Sequence, residues 1–156
     1  MRNRIPTFDT FINEEESEIE FKSPIDKKYN VMIIYPDSDY YEQITSMIPN
    51  NGLAVTDMRQ KAMVINGAKI ESENLTNDHL LFIQAHEIGH HYLNHKGEFG
   101  IPEQEKEADY AAYLLLKKKG YNKAAKLVID FFKNRHSETF KDFEENHGNE
   151  IKEKIK

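Results

Sequence analysis

The stretch His86-Glu87-Ile88-Gly89-His90 decides how this chain is read. It sits inside an apolar run that begins Leu80-Leu81-Phe82 and continues through Ala85. Apolar residues recur there at helical spacing, which predicts a helix over about residues 76–94. Thr76 is the expected N-cap, Asp78 suits the positive end of the helix dipole, and Lys96-Gly97 is the expected stop. Residues i and i+4 project from one helix face, so the imidazoles of His86 and His90 can converge on one ion. Imidazole nitrogen is a good zinc ligand. At ~100° per residue Glu87 lies beside that pair, placed to reach a water held by the metal without ligating the metal itself. The rival reading is a hydrogen-bonded pair of core histidines, because a half-buried face does not tolerate unpaired polar groups.

A hydrolytic zinc site keeps three protein ligands and leaves a place for water. The next helix predicted in the sequence, over residues 102–119, offers candidates for the third. Pro102 opens it, Glu103, Glu105 and Glu107 follow, and Lys117, Lys118, Lys119 and Gly120 close it. With Glu105 at the origin of a helical wheel, Ala108, Asp109, Ala112 and Leu116 fall within about 60°, and Glu107 falls about 160° away. The face carrying Glu105 is small and apolar and can approach the first helix closely. Glu105 is therefore the expected third ligand. Asp109, one turn on, is placed to accept the other N–H of a ligating histidine. Glu103 and Glu107 are expected to be solvent-facing charges at the helix start.

Ahead of these helices the pattern is β-like. Residues 17–21 alternate, residues 31–35 form a β-prone run stopped by Pro36, and residues 53–56 and 62–65 form two more strands. A short helix is expected from Asp37 or Ser38 to about Met47, with turns at Pro49-Asn50-Asn51-Gly52 and Asn66-Gly67. The strands look like a small antiparallel meander, so the fold class is α+β: a small antiparallel sheet followed by a helical core with the His-Glu-x-x-His helix and a second ligand-bearing helix. A third helix over about residues 122–133 carries Leu127, Val128, Phe131 and Phe132. Residues 1–28 and 134–156 are charged; a loosely ordered lead and tail are one expectation, and a helix from Asn134 on is the other for the tail, with Phe140 and Phe143 available to pack back on the body.

A length of 156 residues suits a single domain. The net charge of −6 argues against direct nucleic-acid binding, which needs a basic surface. The chain has no cysteine, which excludes a disulfide framework, thiolate-bound zinc and a cysteine nucleophile, and fits a reducing cytoplasm. Arg2 and Arg4 are not followed by an apolar run, so no signal peptide is expected, and no stretch approaches the ~18 apolar residues of a membrane span.

The combined pattern, His-Glu-x-x-His followed by Glu105-Lys106-Glu107-Ala108-Asp109, resembles the gluzincin metallopeptidases. More closely it resembles the ImmA/IrrE family of metallo-endopeptidases. Gly52-Leu53-Ala54-Val55, Val64-Ile65-Asn66, Gln84-Ala85 before the motif, and Tyr110-Ala111-Ala112 after it also carry the likeness. The resemblance implies zinc at His86, His90 and Glu105, Glu87 as general base, and an intracellular protein substrate such as a DNA-binding transcriptional repressor. The chain departs from the family where Leu114-Leu115-Leu116 runs into Lys117 and where Leu80-Leu81-Phe82 precedes the motif. A different class of reading is a regulatory protein that keeps the zinc fold and acts by binding a repressor or antitoxin; the intact Glu87 favours the enzyme. Bacterial endoribonucleases with His-x3-His-x5-His would need histidine at position 96, where Lys96 stands.

The remaining histidines have weaker claims. His79 could line the cleft; His91 points away from the pair and His95 lies one turn beyond it, both expected at the surface or behind the ligands; and His136 or His147 could face Glu87 as an electrophile. Tyr92 and Tyr110 are expected to be packing residues rather than oxyanion donors.

Overall fold

The computed structural model describes residues 11–12, 17–95 and 100–155. The chain divides into two compact units, residues 1–77 and 78–156.

The first unit is built on a five-stranded sheet. Its strands are β1 (Phe11–Ile12), β2 (Glu18–Lys22), β3 (Asn30–Ile34), β4 (Ala54–Asp57) and β5 (Ala62–Asn66), in the order β1-β2-β3-β5-β4. Period-2 alternation puts Ile19 and Phe21 of β2, Val31 and Ile33 of β3, and Met63 and Ile65 of β5 in the core. The sheet is mixed rather than the antiparallel meander expected from the sequence. β4 and β5 do form an antiparallel pair, but β5 also pairs in parallel with β3, Val31 opposite Met63 and Ile33 opposite Ile65. The more apolar strand, β5, takes the inner position, and the half-exposed β4 is left at the edge.

Two short helices accompany the sheet, α1 (Tyr41–Thr45) and α2 (Gly67–Ser72). The Asn66-Gly67 signal is a helix start, not a hairpin turn. The Asn66 side chain accepts from the Ala68 N–H at 3.1 Å. Position 67 has no room for a side chain, since a Cβ there would lie 2.5 Å from the Tyr35 ring.

The second unit is helical: α3 (Asn77–Tyr92), α4 (Pro102–Lys119), α5 (Asn122–His136) and α6 (Phe140–Ile155). α4 has the limits that its punctuation predicts, with Pro102 in the first turn and Gly120 left-handed at φ 84° just beyond the end. α3 ends earlier than expected. Asn94 turns left-handed at φ 60°, and the Lys96-Gly97 stop lies outside the described residues.

In the C-terminal stretch the helical alternative holds. Residues 134–155 are ordered as the end of α5 and the whole of α6. Phe143 and Ile151 are buried, and Phe132, Phe140 and Phe143 cluster around Tyr110 of α4. The Tyr110 hydroxyl donates to Glu144 at 2.6 Å, and it passes close over Gly148, where a Cβ would come within 3.0 Å of it. Tyr110 is thus a packing residue, as expected. Ordering of α6 follows from an apolar stripe that the high local charge obscures in the sequence. At the other end, residues 17–28 are ordered as β2 and the turn after it, while residues 1–10 and 13–16 lie outside the described residues. No helix among the described residues is long and apolar enough to cross a membrane.

Candidate metal centre

The site lies within the helical unit, between α3 and α4. Gly89, inside the His-Glu-x-x-His stretch, is what lets the two helices meet: a Cβ there would sit 3.0 Å from the Ala108 carbonyl oxygen and 3.1 Å from the Ala111 Cβ. Small residues on both sides bring the backbones close, and the side chains one turn away then converge.

They converge as the wheel predicted. His86, His90 and Glu105 each present one ligand atom, and the three atoms lie within 4.8 Å of one another. The two Nε2 atoms are 3.2 Å apart. His86 Nε2 lies 3.3 Å from one Glu105 oxygen, and His90 Nε2 lies 2.9 Å from the other. A tetrahedral zinc with bonds of about 2.0–2.1 Å separates its ligand atoms by roughly 3.3 Å. The donor types and spacings fit such an ion.

The outward-facing ring nitrogens are engaged as well, which fixes the orientation of both imidazoles. His86 Nδ1 is 2.6 Å from Asp109 Oδ1. A carboxylate can only accept, so Nδ1 carries the proton and a neutral His86 presents a lone pair at Nε2, toward Glu105 and His90. Asp109 is completely buried. Its charge is held by Arg135, which donates from Nε at 2.7 Å and from Nη2 at 3.2 Å, and by His136, whose Nε2 lies 2.6 Å away. Burial alone would push the Asp109 carboxyl up, but His136, His86 and Arg135 outweigh it and hold the group far below the ordinary carboxylate range. Burial likewise opposes charge on His86, yet its bonds to Asp109 and Glu105 raise it from 6.5 to about 10 with no metal bound. Glu105 is driven the other way: burial opposes its ionisation, and the two histidines overcome that.

Glu87 is half-buried, and its charge acts on the His86 imidazole. Beside Glu105 the site opens on a cavity of about 420 Å³ walled by Pro102, Lys106, Arg135 and His136, room for part of an extended chain.

Sequence reasoning missed one member of the surroundings and gave two others a different role. Arg135 was not singled out. His136 faces Asp109 rather than Glu87. Glu107 is not a free helix-start charge: its carboxylate is 2.8 Å from His95 Nε2. A signal for His95 was present, because asparagine four residues after His90 is a residue type that closes helices. No sequence signal marked Arg135 or His136, since their positions depend on how α5 packs on α4. His79 stacks on Phe131, and His147 packs on Phe143, so neither joins the donor group.

No family model, curated protein or solved structure matches this chain. What the site can do follows from its own donor set.

Proposed function

We propose that the chain is a zinc-dependent metallo-endopeptidase, with the metal held by His86, His90 and Glu105. The observation that carries this reading is the convergence of two imidazole Nε2 atoms and one carboxylate at tetrahedral spacing, with their outer atoms already committed elsewhere. Zinc bound there supplies Lewis acidity toward a carbonyl and lowers the pKa of a coordinated water. The chain's own residues do the rest. Asp109 holds the His86 ring in its tautomer and orientation. Glu87 accepts a proton from the attacking water and returns it to the departing amine nitrogen. The open cavity beside Glu105, walled by residues of α4 and α5, is the place for the substrate chain.

The proposed substrate is an internal peptide bond of an intracellular protein. A DNA-binding repressor is the class that the sequence likeness suggests, and the cysteine-free composition fits a cytoplasmic setting. The experiment is zinc analysis of the purified protein together with capture of bound proteins by Glu87→Gln. About one zinc per chain, and a captured protein that the unmutated enzyme cleaves, support the proposal. Absence of zinc overturns it.

A further inference from the structure

The two histidines of the donor group are supported in different ways. His86 leans directly on the buried carboxylate of Asp109. His90 leans on another imidazole: its Nδ1 is 2.8 Å from His95 Nδ1, and His95 Nε2 is 2.8 Å from Glu107 Oε1.

The contact arises from the way α3 stops. The His95 N–H bonds to the His90 carbonyl at 2.9 Å, the Asn94 N–H bonds to the His91 carbonyl at 2.9 Å, and Asn94 is left-handed. That pair of reversed bonds is a Schellman closure, with Asn94 as the left-handed residue. Such a closure brings the residue after the left-handed one back against the residue five positions earlier, commonly through an apolar contact. Here those two residues are His95 and His90, and the contact is a hydrogen bond between rings. His95 is nearly enclosed, its side chain 10% exposed, and α4 supplies Glu107 to its far nitrogen.

The proton positions along this chain are determined once His90 offers a lone pair at Nε2. Its Nδ1 must then carry hydrogen and donate to His95 Nδ1. His95 Nδ1 must be bare, so its hydrogen sits on Nε2 and is donated to Glu107. Each step leaves the acceptor facing a donor. One negative charge at Glu107 thus supports the basicity of His90 through a neutral ring.

We propose that the helix stop at Asn94 builds a positioning relay, His90–His95–Glu107, which orients His90 and raises its affinity for the metal. The inference rests on the metal-centre reading above and assigns His95 and Glu107 to it as positioning residues.

The test measures zinc affinity by competition with a chromophoric chelator, and the visible absorption of the cobalt-substituted protein. Loss of an outer partner of a ligating histidine typically weakens metal binding about 10- to 100-fold. His95→Phe is expected to weaken zinc in that range and to alter the cobalt spectrum. His95→Gln, whose amide accepts on one side and donates on the other, restores most of the affinity and the spectrum. Glu107→Ala weakens binding in the same direction by less. Asn94→Val, at an exposed position that tolerates only a left-handed residue, weakens binding like His95→Phe, while Asn94→Gly does not. A folded His95→Phe protein with unaltered affinity and spectrum overturns the relay and leaves the metal centre standing. Should His95→Phe not fold, unaltered affinity in Glu107→Ala and Asn94→Val overturns the relay equally. An unmutated protein that takes up no zinc overturns the metal centre and the relay with it.

Discussion

Asp109 Oδ1 and His86 Nδ1 are 2.6 Å apart, and the carboxylate that makes this bond has no exposed surface. The ring is oriented by a charge that water cannot reach, which in turn is held by Arg135 and His136. Asp109→Ala is therefore expected to weaken zinc about 10- to 100-fold without abolishing it. The same change removes the partner of a nearly enclosed His136 and costs about 3 kcal/mol, the low end for breaking a buried pair, because Arg135 reaches solvent. Zinc titration and urea unfolding in chelator read the two effects separately. Loss of zinc as complete as in His86→Ala would make Asp109 a ligand.

Glu105 and Glu107 stand two positions apart on α4 and should part company in zinc content. Glu105→Ala removes a donor atom and is expected to leave the purified protein without stoichiometric zinc. Glu107→Ala retains it, at the reduced affinity that its bond to His95 implies. Circular dichroism confirms folding of both. A zinc-free Glu107→Ala alongside a zinc-loaded Glu105→Ala would reverse the assignment.

Glu87→Gln is expected to keep its zinc and lose peptidase activity by about 10²- to 10⁴-fold, the usual contribution of a general base. Glutamine preserves size and cannot take a proton. Undiminished turnover of a captured substrate would assign the base elsewhere.

Zinc uptake should release a proton near neutral pH. Without metal, His86 is raised to about 10, so it is protonated at pH 7 and must surrender that proton to offer Nε2. Apparent zinc affinity then rises about tenfold per pH unit between pH 7 and 9. Stability of the metal-free protein runs the opposite way. The raised pKa contributes stability that is fully present below about 6.5 and lost as pH rises through about 10. Calorimetry in buffers of different ionisation enthalpy counts the protons; a count of zero would exclude a protonated His86.

Much of the helical unit was legible along the chain. Pro102 and Gly120 bracket α4, and the i, i+4 spacing of His86 and His90 selects one face. The wheel on α4 separated Glu105 from Glu107 and put Asp109 on the Glu105 face, without choosing which histidine it meets. Less was legible in the sheet. The polar stretch Asp57–Lys61 marked the two strands around it as neighbours, but nothing local marked β3 as the parallel partner of β5. In the tail, Phe140 and Phe143 could be picked out as packing residues, but Ile151 and Ile155 stand too far on among charges for their share of the same face to stand out.

The sequence by itself determined what short-range geometry controls: the limits of α4, the shared face of His86 and His90, and the residue types that suit a metal. These depend on backbone sterics and on the 3.6-residue period, which act within a turn or two. Only the tertiary structure decided which groups stand behind His86 and His90. Arg135 and His136 reach Asp109 from 26 and 27 residues away, and Glu107 reaches His95 from 12. Their meeting depends on helix packing, on small residues such as Gly89 and Ala108 that permit close approach, and on the requirement that a buried charge find partners.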